Sequence, residues 1–328
     1  MATHKPKILV TREVFDETLE YLRRHCDVQS NQDDAPFAPD ALAAALVDKD
    51  GLMCCLTDRV DAQLLARVPA LKAVANIAVG YNNIDVPACT ARGVMATNTP
   101  GVLDDSTADL AWALMLATAR RITEVERRIR AGEWTGWRLK QWLGVDVHHA
   151  TLGIIGMGRI GQAIARRASG FDMKVLYHNR NRIAPELERR TNAGYAAFDD
   201  LLAQSDFIVL QVPYSPQTHH LIGAPQLAKM KPSAILINST RGGVVDDAAL
   251  IAALKNGAIR GAGLDVFENE PKLHPEFLKL DNVVLAPHVG SSTEATRKAM
   301  AMLAAQNLVA ALQGQVPPNL LNPEARRA

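Results

Sequence analysis

The sequence predicts an α/β protein of two domains, each a parallel sheet wound on both faces by helices, and three observations carry that reading. The chain has 328 residues, which at about 150 residues per domain favours two domains over one. Its first hundred residues alternate short β-rich runs with helical stretches. The stretch TLGIIGMGRIGQAIARRASGFDMKVLYHNR at 151–180 reads strand, tight turn, helix, strand.

KILVT at 7–11 is the first strand and VFDETLEYLRRH at 14–25 a helix, followed by the strand GLMCCL at 51–56. LKAVANIAVGYNNID at 71–85 continues the pattern with a short apolar strand ending in Gly80, where no side chain keeps a ligand from the backbone. From Ser106, the run STADLAWALMLATARRITEVERRIRAGEW places apolar residues at helical spacing behind a Ser or Thr cap, which predicts one long helix ending near Gly132. A loop with Trp134, Trp137 and Trp142 follows. Beyond residue 180, DFIVLQVP, AILINST, GAGLDVF and NVVLAPH add four short strands. Ser291 to about Gln313 is Ala-rich and helical by period, and the Pro-containing tail has no strand character and is expected to return to the first domain.

Hydrophobic residues at 48% and charged residues at 22% exclude a disordered or low-complexity chain. Lys and Arg number 36 against 35 Asp and Glu, a net charge of +1, which argues against nucleic acid and membrane surfaces as partners. Any anion must be met locally. Cys26, Cys54, Cys55 and Cys89 have no metal-ligand spacing and read as buried thiols in a reducing, cytoplasmic setting. The start MATHKPKILV is too polar for a secretory signal, and the apolar stretch Leu110 to Ala119 is far short of the roughly 20 residues that span a bilayer.

Gly156-Met-Gly158-Arg159-Ile160-Gly161 follows the apolar strand Leu152–Ile155 and opens the helix Gln162–Ala168, the context that a dinucleotide-binding glycine motif requires. Gly156 serves the tight turn, Gly158 the approach of the pyrophosphate and Gly161 the packing of helix on strand, with the helix N-terminus facing the negative charge. An acidic residue expected at the end of the next strand for NAD is missing: Asn179 stands 18 positions beyond Gly161, followed by Arg180 and Arg182. Guanidinium groups suit a 2′-phosphate. NADP(H) is therefore expected as the preferred cofactor, with Asn179 and Arg180 around the phosphate and Arg182 as a further candidate; NAD(H) remains open, as does a merely solvated loop.

Three strand ends carry polar residues without a packing role: Arg241, Glu270 and His288. Ligands of open α/β sheets bind outside the carboxyl ends of the strands, so the three are expected to share a crevice. Such a set supports reduction of a 2-oxo acid. Arg241 would hold the carboxylate and carbonyl, and His288 would be the general acid, oriented and kept protonated by Glu270. The pairs His148-His149 and His219-His220 suggest a metal only weakly, because adjacent histidines usually point apart and no third ligand completes a spacing. No GxSxG frame surrounds Ser239, so acyl transfer is not expected.

The blocks Gly156–Gly161, INSTRGGVVDDAALIAALKNGAIRGAGLDVFENEP at 237–271 and LAPHVGSST at 285–293 stand in the order found in the D-isomer-specific 2-hydroxyacid dehydrogenase family, which the chain resembles over nearly its whole length. VGYNNIDV at 79–86, RIRAGEW at 128–134 and DVHHATLGIIGMGRIGQAIARRA at 146–168 bring it nearest to the bacterial glyoxylate/hydroxypyruvate reductase B branch, also described as 2-ketogluconate reductase. The resemblance implies two Rossmann-like domains, a discontinuous substrate domain from 1–100 and 290–328 and a dinucleotide domain from 101–289. It places Arg241, Glu270 and His288 at the catalytic positions and the Val79 and Gly80 amides on the substrate carboxylate. Thr107, Val212, Pro213, Thr240 and Asp265 lie by the same resemblance around the nicotinamide, and His288 and Gly290 are further residues expected to bind the cofactor. A homodimer is implied, with one of Trp134, Trp137 and Trp142 reaching the partner's active site or merely packing in the dimer.

The resulting expectation is NADPH-dependent reduction of a small 2-oxo acid such as glyoxylate, hydroxypyruvate or 2-ketogluconate to the D-2-hydroxy acid. An NAD-dependent relative of the D-3-phosphoglycerate dehydrogenase type is the alternative, disfavoured by the missing carboxylate after Tyr177. Formate dehydrogenase shares the architecture but not the Glu–His pairing. A dinucleotide-sensing interaction protein, like the family's corepressors, is a further alternative, disfavoured because no recruitment segment or long tail is present.

Overall fold

In a computed structural model that describes residues 5–327, the chain divides into two units, Met1–Leu103 with Thr293–Ala328, and Asp104–Ser292. The first four residues of the polar start, and Ala328, lie outside the described residues. Each unit is a parallel sheet covered on both faces, which is why its inner strands are nearly continuous apolar runs.

The first unit runs β1 (Lys7–Val10), α1 (Asp16–His25), β2 (Asp27–Ser30), α2 (Pro39–Leu46), β3 (Gly51–Cys54), α3 (Ala62–Arg67), β4 (Ala73–Asn76), α4 (Val86–Ala91) and β5 (Met95–Thr97). Its sheet has the order β2-β1-β3-β4-β5. Alternate residues of a strand point to opposite faces. Leu9, Leu52 and Val74 accordingly pack with Leu42, Leu46, Leu64 and Leu65 of α2 and α3. Ile8, Val10 and Met53 pack on the other face, with Leu19 and Leu22 of α1. The C-terminal helix, which returns to this unit, contributes Ala301, Ala304, Ala305 and Leu308 to that second face.

The second unit runs α5 (Asp104–Ala119), α6 (Ile122–Arg130), β6 (Thr151–Ile155), α7 (Arg159–Ala168), β7 (Lys174–His178), α8 (Pro185–Thr191), β8 (Ala193–Tyr195), α9 (Phe198–Gln204), β9 (Phe207–Leu210), α10 (Ala224–Leu227), β10 (Ile235–Asn238), α11 (Asp247–Asn256), β11 (Gly261–Leu264) and β12 (Val283–Leu285). The helix that re-enters the first unit is α12 (Glu294–Leu312). The second sheet has the order β12-β11-β10-β9-β6-β7-β8, so the strand order reverses at β6 and β9. Ala111, Trp112 and Met115 of α5 pack on one face and Leu201, Leu250 and Leu254 of α9 and α11 on the other. The expected pair of doubly wound parallel sheets is what the chain forms.

Several local expectations are corrected. The single helix expected from Ser106 is two, because Arg121 is left-handed (φ 56°). Its guanidinium bonds the buried Glu124 through Nε and Nη2 at 2.6 and 2.7 Å. The Ala119 carbonyl leaves the helical ladder and accepts from the Val145 amide at 2.9 Å. The apolar strand expected to reach Gly80 stops at Asn76. The strand β2, sequence DVQS, carried no apolar signal because it is a half-exposed edge. The tail does return to the first unit, and Leu320 forms a bridge with Thr97 while the Asn322 side chain accepts from the Ala96 amide at 2.8 Å. Cys26, Cys54 and Cys89 are buried free thiols and Cys55 is only partly covered. Burial pushes the Cys89 thiol up to about 12, far from a reactive thiolate. Among the described residues no helix is long and apolar enough to cross a membrane.

Candidate active site

In the second unit β6 runs into Gly156, whose φ of +106° suits glycine, and a Cβ there would meet the Gln211 carbonyl oxygen at 2.3 Å. A Cβ on Gly161 would meet the Gly156 oxygen at 2.2 Å, whereas Gly158 faces open space. The turn is thus closed on its protein side and open where a ligand would approach. At the start of α7 the Gln162 amide is satisfied by the Gly158 carbonyl at 2.9 Å. The amides of Arg159 and Ile160 have no acceptor among the described residues, as expected for the first turn of a helix. Free amides, the positive end of a helix and an open glycine turn fit a dinucleotide pyrophosphate.

Asn179, at the end of β7, accepts from the Met157 amide at 2.7 Å and so ties the next strand to the glycine turn. The two arginines beyond it differ. Arg182 is held by Glu188 through Nε and Nη2 at 2.7 and 2.9 Å, and Tyr177 donates its hydroxyl proton to the same carboxylate at 2.6 Å. This triple contact holds the Glu188 carboxyl down to about 2, through the bonds from Arg182 and Tyr177. Arg180 is exposed and has no ion-pair partner among the described residues.

Arg241, Glu270 and His288 stand beyond the carboxyl ends of β10, β11 and β12. Gly242 lies so close to the 265–270 turn that a Cβ would meet the Phe267 oxygen at 1.8 Å, and this contact is what sets Arg241 beside the turn bearing Glu270. Arg241 Nη1 donates to the Thr240 carbonyl at 2.7 Å, and the buried Thr240 hydroxyl donates to Asn238 Oδ1 at 2.8 Å. Burial pushes the Arg241 guanidinium down, against the attraction of Glu270.

His288 Nδ1 meets Glu270 Oε2 at 2.8 Å, and Glu270 Oε1 accepts from the Phe267 amide at 2.9 Å. Burial raises the Glu270 carboxyl, but the bonds from His288 and Phe267 outweigh it and leave the group below its ordinary range. An ionised carboxylate only accepts, so Nδ1 carries the proton that bonds it. Nε2 has no partner among the described residues. His288 is left-handed (φ 56°), and its amide donates to the Asp265 carbonyl at 2.9 Å. Asp265 also accepts from the Val289 and Gly290 amides at 2.7 and 2.9 Å, so this buried carboxylate holds the histidine loop. Thr107, in the first turn of α5, lies against Gly290, where its methyl carbon would be 3.5 Å from a Cβ. Val212 and the exposed Pro213 follow β9, whose register on β6 continues in the bond from the Gln211 amide to the Ile155 carbonyl at 2.7 Å.

A further tie among these loops was not anticipated. His220 bonds Glu268 Oε1 through Nε2 at 2.5 Å, and its amide donates to the Gly243 carbonyl at 2.7 Å. His219 and His220 do not point apart as expected but stack at 3.9 Å, because the left-handed backbone at His220 (φ 49°) turns the rings together. The paired acidic residues in DVFENEP were the only signal for this, and only Glu270 was read from them.

In the first unit Val79 and Gly80 lie in the loop after β4. The carbonyls of Ala78, Val79 and Gly80 accept from the Thr99 amide at 3.0 Å, Asn98 Nδ2 at 2.8 Å and Asn76 Nδ2 at 2.9 Å. The amides of Val79 and Gly80 have no acceptor among the described residues.

Residues 112–290 match the family described as D-isomer specific 2-hydroxyacid dehydrogenase, NAD binding domain. A glyoxylate reductase from Thermococcus onnurineus is 49% identical over 98% of this chain and 97% of its own length. The crystal structure of a putative D-isomer specific 2-hydroxyacid dehydrogenase from Polaromonas superposes with a TM-score of 0.90 at 38% identity, over 97% of this chain and 100% of that one. The NADPH-dependent glyoxylate/hydroxypyruvate reductase from Sinorhizobium meliloti, solved with NADP and malonate, gives 0.86 at 34% identity over 98% of each chain. Glycine turn, strand-end triad and full-length similarity agree: the chain belongs to the D-isomer specific 2-hydroxyacid dehydrogenase family, the NAD(P)-dependent oxidoreductases acting on 2-hydroxy acids.

Proposed function

We propose that the protein reduces glyoxylate and related small 2-oxo acids, hydroxypyruvate and 2-ketogluconate among them, to D-2-hydroxy acids with NADPH. The observation that carries this reading is the His288–Glu270 pair, with Nδ1 bonded at 2.8 Å and Nε2 left for a ligand. The names of the similar reductases support the substrate class. The bound dinucleotide supplies the hydride.

The remaining work falls to the chain itself. Arg241 binds the substrate's carboxylate and its carbonyl oxygen, and a guanidinium kept largely from water acts strongly on the charge that develops there. His288 gives its Nε2 proton to that oxygen as it becomes an alkoxide. Glu270 fixes the imidazole plane through its bond at Nδ1 and sets a negative charge beside the ring that gives up the proton. The Val79 and Gly80 amides take the carboxylate, making the first unit the substrate domain. Asp265 and Thr240 act one step back, holding the loops that bear His288 and Arg241.

NADPH preference rests on Arg180, with Asn179 shaping the turn beneath it; Arg182, committed to Glu188, contributes mainly by bracing the loop. NAD(H) stays a usable cofactor on this reading. A homodimer fits the exposed apolar side chains Ile122, Ile129, Trp134, Trp137, Leu139 and Leu143, an apolar surface of the kind that associates. Free thiols fit a cytoplasmic setting.

The test is oxidation of NADPH and of NADH by the purified protein, followed by absorbance, with glyoxylate, hydroxypyruvate and 2-ketogluconate in turn. Turnover preferring NADPH is expected, and the ranking of acids names the substrate. Preference for NADH would overturn the Arg180 reading and spare the Glu270–His288 pair, whereas no turnover with any acid would overturn the proposed substrate class.

A further inference from the structure

The loop after β4 in the first unit is held by asparagines. Asn76, the last residue of β4, is fully buried and donates through Nδ2 to the Gly80 carbonyl at 2.9 Å. Asn83 exchanges bonds with Asn76 at 3.2 and 3.3 Å and donates to the Cys55 and Asp58 carbonyls at 3.1 and 3.0 Å. Asn98, 8% exposed, donates to the Val79 carbonyl at 2.8 Å. Behind it, the fully buried Asn307 of α12 donates to the Asn98 carbonyl at 3.1 Å and to Asn319 Oδ1 at 3.2 Å. A buried amide is costly unless its groups are paired, and a paired network fixes one geometry.

What that geometry fixes follows from the planar trans peptide, in which the amide proton of one residue points opposite to the carbonyl of the residue before it. Drawing the Ala78 carbonyl to the Thr99 amide turns the Val79 N–H the other way. Drawing the Val79 carbonyl to Asn98 does the same for the Gly80 N–H, and drawing the Gly80 carbonyl to Asn76 does it for the Tyr81 N–H. None of these three amides has an acceptor among the described residues. Successive amides facing one side form a concavity suited to an anion.

We infer that Asn98 and Asn76 are positioning residues of the substrate carboxylate site: they hold the Val79 and Gly80 carbonyls toward the buried side so that the Gly80 and Tyr81 amides join that of Val79 on the carboxylate. The inference rests on the reading that the Val79 and Gly80 amides bind the carboxylate, and it adds Tyr81 N–H as a third donor. Neither asparagine touches substrate. Their effect is on binding that ground state and transition state share, so KM should move and kcat should not.

The experiment uses oxalate, an unreactive carboxylate, on the intact protein with NADPH bound. In the wild type, oxalate should shift the backbone amide NMR signals of Val79, Gly80 and Tyr81 together. No shift at Val79 and Gly80 overturns the underlying carboxylate reading, and shifts there without one at Tyr81 overturn the role of Asn76. Asn98→Ser and Asn76→Ser should each weaken oxalate and raise the KM for glyoxylate by about tenfold, as loss of a hydrogen bond that aligns a charged ligand implies. Both should leave kcat and the Kd for NADPH within about twofold. Unchanged oxalate affinity in both variants overturns the inference while the carboxylate reading stands. A variant that fails to fold leaves the wild-type amide shifts as the deciding measurement.

Discussion

In the second unit the ends of β10, β11 and β12 carry Arg241, Glu270 and His288, whereas in the first the end of β4 carries Asn76 and a loop that presents bare backbone amides. Both stand where a parallel sheet ordinarily offers its ligand site. The second unit places ionisable side chains there and sets them against each other: Glu270 bonds His288, and its charge opposes, without overcoming, the effect of burial on Arg241. The first unit offers donors of fixed direction, backed by side chains that carry no charge. Groups that must exchange a proton or meet developing charge need ionisable side chains, while a carboxylate that keeps its charge throughout can be held by amides.

The sharpest way to break this contrast is Arg241→Ala. Removing a preorganised donor aimed at developing charge costs about 10²–10³ in rate, and loss of carboxylate binding adds to that in kcat/KM. Near-normal kinetics with every 2-oxo acid would remove the side-chain half of the comparison. His288→Asn should cost about 10²–10⁴ in kcat, the usual range for a general acid.

Glu270→Gln tests the coupling. A glutamine amide can still accept from Nδ1 but sets no negative charge beside the ring, so on the proposed mechanism kcat should fall by about tenfold or more, within the range of a general acid. A kcat within about twofold of the wild type would mean that Glu270 only orients the ring. For folding the effect is one of pH. The Glu270 carboxyl is held below its unfolded value, so its contribution is present above that value and is lost as pH falls through the folded one.

Arg180→Ala should weaken NADPH more than NADH, by about tenfold or more, as for a lost charge-assisted bond, while Arg182→Ala should do so much less because Glu188 already holds that side chain. Equal effects of both substitutions on NADPH would mean that the Arg182–Glu188 pair opens on binding.

Legibility divided along the same line as the chemistry. The glycine turn and the three ionisable strand ends could be read because few residue types serve there and each has a fixed place after a strand. The commitment of Arg182 could not, since Glu188 lies six residues on, across a turn rather than at helical spacing. Nothing in the sequence marks Asn76, Asn83 and Asn98, because asparagine is common at strand ends and in turns for local reasons. Their partners lie up to 209 residues away in sequence, in α12. The break between α5 and α6 was hidden because Arg121, an ordinary helix former, takes a left-handed backbone where the Ala119 carbonyl turns to the Val145 amide, 26 residues on.

The smallest expected effect sharpens the comparison from the side of cost. Asp247, in the first turn of α11, is 5% exposed and accepts from the Glu268 amide at 3.1 Å. Burial raises its carboxyl to about 6. Because the folded value lies above the unfolded one, the native state keeps a proton that the unfolded chain has lost, and stability falls as pH rises from about 4 to about 6. Asparagine, the residue type the first unit uses, can still accept from the Glu268 amide and carries no charge. Asp247→Asn should therefore match the wild type near pH 4 and exceed it above pH 6 by on the order of 2 kcal/mol, in urea unfolding across that range, with catalysis little changed. Equal stability at every pH would mean that the helix N-terminus and the Glu268 amide already compensate the buried charge, and that the second unit carries its ionisable groups at no greater cost than the first carries its amides.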